Sequence, residues 1–217
     1  MKLKPLSLLA SSFVALLVLF APLANAAVDD EVRALQREWE EIKYRKPAAD
    51  QEKAFEALSK TATTVRAKYA DRAEADIWYG IIVSSYAGAK GGVGALSLVK
   101  DAKAALEHAL AIDPKALAGS AYTSLGSLYY QVPGWPIGFG DDKKAREMLE
   151  TALKLNPDGI DPNYFYGDFL FRKGDYANAK KALEQALKAP ARPDRPLADE
   201  GRRKEIAELL AKIKDKS

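Results

Sequence analysis

The chain has no cysteine, one histidine and two methionines in 217 residues. Without cysteine there is no disulfide staple, no thiolate nucleophile, no thiolate metal ligand and no thiol to carry a lipid. The lone histidine, His108, has no second histidine to share a metal with and stands between Glu107 and Ala109 on an amphipathic stretch. It reads as a surface residue rather than a catalytic base. No run alternates apolar and polar residues over several strand lengths, so a sheet is excluded and the class is all-α. Neither sign of charge dominates: 33 basic side chains face 30 acidic ones. Net charge therefore gives no reason to expect nucleic acid or an anionic membrane as partner. The acidic runs Asp29-Asp30-Glu31 and Glu38, Glu40, Glu41 fit helix starts and solvated faces, not an acid and base pair. No cofactor is expected, and no enzyme.

What is present begins with an export signal. Lys2 and Lys4 precede an apolar run from Leu6 to Ala21, and Ala24-Asn25-Ala26 sets small residues where a signal peptidase reads them. Cleavage after Ala26 is expected, leaving a chain in the periplasm that begins at Ala27, without stable membrane insertion. About 190 residues then remain, enough for one domain with its own core.

Two apolar stripes follow. Val32, Leu35, Trp39 and Ile42 mark one helix before Pro47, and Phe55, Leu58, Ala62, Val65 and Tyr69 mark a second, so residues 29–70 form a first hairpin. Beyond it one signature recurs. Tyr79-Gly80 is followed by Ala102, Leu106 and Ala109; Leu125-Gly126 by Ala145, Leu149 and Ala152; Tyr166-Gly167 by Ala179, Leu183 and Ala186. Glycine in one helix admits a close neighbour, and the alanines and leucine of the next fill the contact. Pro114 and Pro157 each fall five residues after the last alanine, in a turn. Three repeats result, at 73–114, 116–157 and 160–189. The proline-rich stretch Pro190 to Pro196 breaks the helix, and a final amphipathic helix at 197–214 covers the end.

This pattern resembles the tetratricopeptide repeat. The resemblance implies a right-handed solenoid of helical hairpins that presents surfaces to a protein partner. Asp76 and Asn163 stand where the family has an aromatic residue and depart from the pattern. Only the third repeat has the compact spacing of twelve residues from Gly167 to Ala179; the first is ten longer and the second seven longer. The export signal, the glycine-rich inserts, the Gly134-Trp135-Pro136 segment and the Arg192-Pro193-Asp194-Arg195-Pro196 tail also resemble the T component associated with TRAP-type solute transporters. That likeness implies an accessory meeting a solute-binding receptor and sheltering a small apolar ligand; the alternative is a free-standing scaffold for envelope or secretion proteins.

Candidate recognition residues come from the inserts and the concave side. Lys90-Gly91-Gly92-Val93-Gly94 lacks the lysine and hydroxyl that a phosphate loop places after its last glycine, so it is read as a flexible insertion. In the second insert Trp135, Ile137 and Phe139 are large apolar groups between prolines, either folded back as an internal plug or held out as a lip for a ligand or a protein. Both inserts should meet on one edge. Counting from the glycines puts Ile77, Ile81, Ser84, Ser120, Thr123, Ser127 and Tyr130 on the inner face, with Tyr164, Asp168, Phe171 and Arg172 from the third repeat. Arg192, Arg195, Arg202, Arg203 and Lys204 are interleaved with Asp194, Asp199 and Glu200, and ion pairs explain them better than a nucleic-acid site.

Overall fold

A computed structural model describes residues 20–216, with side chains from Ala27 onward. Residues 1–19, the greater part of the expected signal segment, lie outside the described residues. The described residues fold into helices alone: α1 Phe20–Arg45, α2 Ala48–Lys68, α3 Ala73–Lys90, α4 Ala95–Ile112, α5 Ala116–Gln131, α6 Asp142–Leu155, α7 Ile160–Arg172, α8 Tyr176–Leu187 and α9 Pro196–Lys214. Successive helices pack as hairpins, which is a helical-hairpin solenoid. α1 runs across the bond at which cleavage is expected. No described helix is long and apolar enough to cross a membrane.

The repeat signature has one physical meaning three times over. A Cβ added to Gly80 would stand 2.7 Å from Leu106 Cγ, one on Gly126 2.6 Å from Leu149 Cγ, and one on Gly167 2.8 Å from Leu183 Cγ. In each case the carbonyl of the matching alanine, Ala102, Ala145 or Ala179, is within 3.3 to 3.4 Å. Those leucines and alanines are fully buried. Glycine is therefore required by closeness of approach, and the helix pair locks around it.

The two departures from the pattern are also accounted for. Buried Asp76 takes Arg66 Nε from α2 and lies 2.5 Å from His108 Nδ1 of α4, so a polar tie replaces an aromatic contact. Asn163 donates its amide to Pro157 O at 2.7 Å and Gly159 O at 2.9 Å, holding the turn that enters α7. His108 is half exposed, as a surface residue would be, yet it serves this tie.

The two longer repeats lengthen in different ways. Past Gly80, α3 continues ten residues to Lys90, where α7 continues only five past Gly167; α4 likewise starts seven residues before Ala102, where α8 starts three before Ala179. The first insert is thus mostly extra helix, and Gly91 to Gly94, within the glycine-rich stretch read as an insertion, is the loop that joins the two helices. At 1.5 Å per residue the hairpin projects about 7 Å beyond its neighbour. In the second repeat both helices keep their short lengths, and all the surplus is in residues 132–141 between α5 and α6. That loop is folded on itself: Gly140 N donates to Pro133 O at 3.0 Å and Asp141 N to Tyr129 O at 2.8 Å. A Cβ on Gly140 would lie 2.0 Å from Val132 O, so only glycine fits. Asp141 then caps α6, accepting from Lys143 N and Lys144 N at 2.9 and 3.1 Å.

α9 does more than cover the last repeat. It packs on α8 and α7 and also reaches α1 at the far end of the chain. Arg195 Nε donates to Glu40 Oε1 at 2.5 Å, Lys43 Nζ is 3.5 Å from Glu205, and the Tyr44 hydroxyl is 3.5 Å from the same carboxylate. Gly201, inside α9, explains itself here, since a Cβ would fall 2.2 Å from the Tyr44 ring. The solenoid therefore closes on itself, and the concave side becomes a basin.

Candidate functional site

The basin has a volume of about 1250 Å³. Its walls come from both ends of the chain as well as from the repeats. Trp39 and Tyr44 of α1, Trp78 and Ile81 of α3, and Tyr164 and Phe165 of α7 supply the apolar lining. Trp39 meets Trp78 and Tyr44 edge to face, with centroids 6.1 and 5.8 Å apart, and its indole N–H donates to Ser85 Oγ at 2.8 Å. Ser84, Ser120, Thr123 and Ser127 border the same space. The cationic lining is Lys43, Arg172, Arg195, Arg202 and Lys212. Against it stand Asp161, Asp168, Glu205 and Glu208, leaving one cation in excess.

The candidate inner-face residues separate into three groups. Thr123, Ser127, Tyr164, Asp168 and Arg172 line the basin, with Ile81, Ser84 and Ser120. Tyr130 lies beside it and donates its hydroxyl to Asp168 Oδ2 at 2.7 Å, while Arg172 Nε donates to the same oxygen at 3.1 Å and lies over the Tyr130 ring at 5.4 Å. Burial and the adjoining carboxylate push the Tyr130 hydroxyl well above the ordinary tyrosine range. Ile77 is elsewhere: it is fully buried in the core between helices. Phe171 likewise turns to Tyr176, with ring centroids 5.5 Å apart.

The apolar groups of the second insert also divide. Phe139 packs inward, edge to face on Tyr129 at 5.7 Å, and acts as the plug. Trp135 is 90% exposed and Ile137 62%, so these two stand out from the fold. Ile137 and Pro133 border the same basin as Gly92, Val93 and Leu96 of the first insert, which brings both inserts to one edge. Val93, at the tip of the projecting hairpin, is 86% exposed.

An ion network seals the other side. Arg202, nearly buried, donates from Nε to Asp161 Oδ1 at 2.9 Å and from Nη1 to Glu205 Oε2 at 2.7 Å, and it stacks 4.2 Å from Tyr164 and 4.7 Å from Phe165. Arg192 holds Asp161 Oδ2 at 2.8 Å and Asp199 Oδ1 at 2.7 Å. Arg203 donates to the last carbonyl of α8, Leu187 O, and to Ala189 O just beyond it. Ion pairing of the basic cluster is thus seen, but the partners Asp161, Glu40 and Glu205 lie mostly outside the tail itself. Burial raises the Tyr164 hydroxyl to about 12 despite the nearby Arg202 charge. For Asp161 burial works upward too, but Arg202, Arg192 and Arg195 outweigh it and bring the carboxyl down to about 2.

That depression has a measurable consequence. A carboxylate whose folded pKa lies below its unfolded value of about 3.9 stabilises the fold fully above that value, and the contribution disappears as pH falls toward 2. The unfolding free energy from urea titration should therefore drop between pH 4 and pH 2, by about 2 kcal/mol from Asp161. Asp161→Asn should be less stable at pH 7 and show a flatter acid limb. An unchanged limb in that variant would remove Asp161 from the account.

Sequence reasoning reached the repeat residues of the basin and missed Trp39, Tyr44, Trp78 and Glu205. Trp39 reads as a core stripe residue, and nothing local shows that α1 and α9 meet. One cue existed: Gly201 in the middle of an otherwise regular amphipathic helix, where glycine costs about 1 kcal/mol relative to alanine unless a neighbour comes close.

Residues 137–197 match the tetratricopeptide repeat family, a stretch covering the end of the second insert, α6, α7, α8 and the start of the tail. No curated protein matches the chain. Repeats of this family suggest an adaptor or scaffold for protein partners. The matched segment and the stack of hairpins around it fit a tetratricopeptide-repeat protein.

Proposed function

We propose that the chain is an exported, non-enzymatic adaptor of the periplasm that holds a small ligand in its basin and meets a protein partner through the lip formed by its two inserts. The observation that carries this reading is the meeting of α1 and α9, which turns a repeat groove into a half-open basin of about 1250 Å³, ample for a small molecule. The lip stands at the edge of that space, so a bound partner would sit over the ligand. The finer reading is an accessory to a TRAP-type transporter whose partner is the solute-binding receptor. It is supported by the export signal, the inserts, the Gly134-Trp135-Pro136 segment and the arginine-proline tail.

Trp135→Ala tests the lip. The ring is almost wholly exposed, so its loss should leave stability within about 0.5 kcal/mol of the parent. An aromatic anchor at an interface is worth about 2 kcal/mol or more, so affinity for a partner should fall roughly thirtyfold. The partner assay uses protein purified from the periplasmic fraction, whose mass should correspond to a chain starting at Ala27, and the solute-binding receptor that the transporter reading expects to be encoded beside the gene. Full affinity in Trp135→Ala would move recognition away from the lip. Recovery of the uncleaved chain in the membrane would end the periplasmic reading.

A further inference from the structure

Trp78, Ser120, Thr123, Asp161 and Arg195 line the basin and also a smaller cavity of about 390 Å³ beside it, so they form a wall common to both. Hydrogen-bonding capacity is left unused along that wall. The indole Nε1 of Trp78 is buried and has no partner among the described residues. Thr123 is 5% exposed, and neither its hydroxyl nor that of Ser120 bonds to any described residue. Arg195 uses Nε on Glu40 and lies 5.0 Å over the Trp78 ring, while Nη1 and Nη2 bond to none of the described residues. Buried polar groups in folded proteins nearly always find partners, so the buried unpartnered indole, with two unbonded hydroxyls and the outer nitrogens of Arg195 beside it on one wall, points to something that binds there.

Their chemistry narrows what binds. Indole and guanidinium nitrogens only donate, and a threonine hydroxyl with no acceptor can donate as well, so the wall needs a group that accepts. The free end of Arg195 presents two parallel N–H groups, a geometry that a carboxylate matches with its two oxygens. The nearby Asp161 does not fill this role, because Arg192 and Arg202 already hold its two oxygens. Trp39, Tyr44, Tyr164 and Phe165 would surround whatever is attached to the bound carboxylate.

We propose that the wall shared by the two cavities binds the carboxylate of a small organic acid whose apolar body lies in the aromatic basin. This rests on the reading of the basin as a ligand site and adds the class of ligand. Calorimetric titration of the exported chain with octanoate and 4-phenylbutyrate, against octanamide and 4-phenylbutyramide, separates the carboxylate from the apolar body. The acids should bind at least tenfold tighter than the amides. Thr123→Val, which keeps the side-chain shape and removes only an unpartnered hydroxyl, should weaken the acids about tenfold, leave the amides unaffected and not lower the melting temperature. Equal binding of acid and amide would overturn the carboxylate site while keeping the basin as an apolar ligand site. Absence of binding by all four at millimolar concentration would overturn both, leaving the adaptor reading to the Trp135→Ala partner assay. Loss of stability in Thr123→Val with acid affinity intact would make the hydroxyl structural and overturn its role.

Discussion

Arg202→Ala should destabilise the protein by about 3 to 5 kcal/mol, the cost of removing one partner from a buried ion pair. Three effects combine at this residue. Asp161 loses the guanidinium at 2.9 Å and remains partly buried with Arg192 alone, Glu205 loses its contact at 2.7 Å, and the rings of Tyr164 and Phe165 lose the flat group packed on them. In a domain of this size the melting temperature should fall by about 10 °C. Arg202→Lys distinguishes charge from shape. Lysine restores a positive charge but neither the double hydrogen bond nor the stacking, so it should recover only part of the loss. Because Arg202 lies where α9 crosses toward α1, the variant should also loosen the basin, seen as faster amide exchange in α1 around Tyr44 than in α5. A loss below about 1 kcal/mol would mean that the network is a solvated surface feature.

How far the sequence leads depends on the range of the interaction. Gly126, Ala145, Leu149 and Ala152 act within one hairpin, so their spacing alone reveals the contact, and all three copies of that contact are seen. The inserts are intermediate. That both lie at one edge follows from stacking, but whether surplus residues become helix or loop depends on their composition. Between Gly80 and Ala102 there is no proline and three of the four glycines cluster at Gly91 to Gly94, so both helices extend up to that turn; between Gly126 and Ala145 three glycines and two prolines spread from Pro133 to Gly140 permit only loop. The fate of Trp135 and Phe139 differs by four positions in one loop, and hydrophobicity could not tell them apart. Closure is the least legible feature. Glu40 and Arg195 are 155 positions apart, and each looks like an ordinary surface charge until the curvature of the whole stack brings them to 2.5 Å.

α5 carries one more feature that the pattern does not show. Leu117 and Ala118 have φ of 47° and 53°, followed by Gly119 at 78°. Side chains other than glycine pay about 1 to 2 kcal/mol each in that region. The strained turn borders the smaller cavity through Leu117 and Ala118, where Trp78 and Arg195 also stand, so strain and unpartnered donors occur together at the wall assigned to the carboxylate.

Gly126→Leu should cost about 3 kcal/mol or more, because the new side chain has nowhere to go. Its Cβ alone would lie 2.6 Å from Leu149 Cγ and 2.9 Å from Leu149 Cδ2, with the Ala145 carbonyl at 3.3 Å, in a contact where Leu149 and Ala145 are fully buried. The leucine branch point cannot swing aside as a flexible tip could, so α5 and α6 must separate, and overpacking of a close-packed interior is felt along the whole interface. Gly88 is the internal control. It lies in the projecting part of α3, and an added methyl there would meet nothing within 4 Å, so Gly88→Ala should gain up to about 1 kcal/mol from helix propensity. The pair separates glycine required by contact from glycine tolerated in a helix. Equal responses in urea unfolding would mean that the spacing from glycine to alanine does not mark the close approach of paired helices. Gly167→Leu, facing Leu183 at 2.8 Å in the matched repeat, should reproduce the loss seen at Gly126.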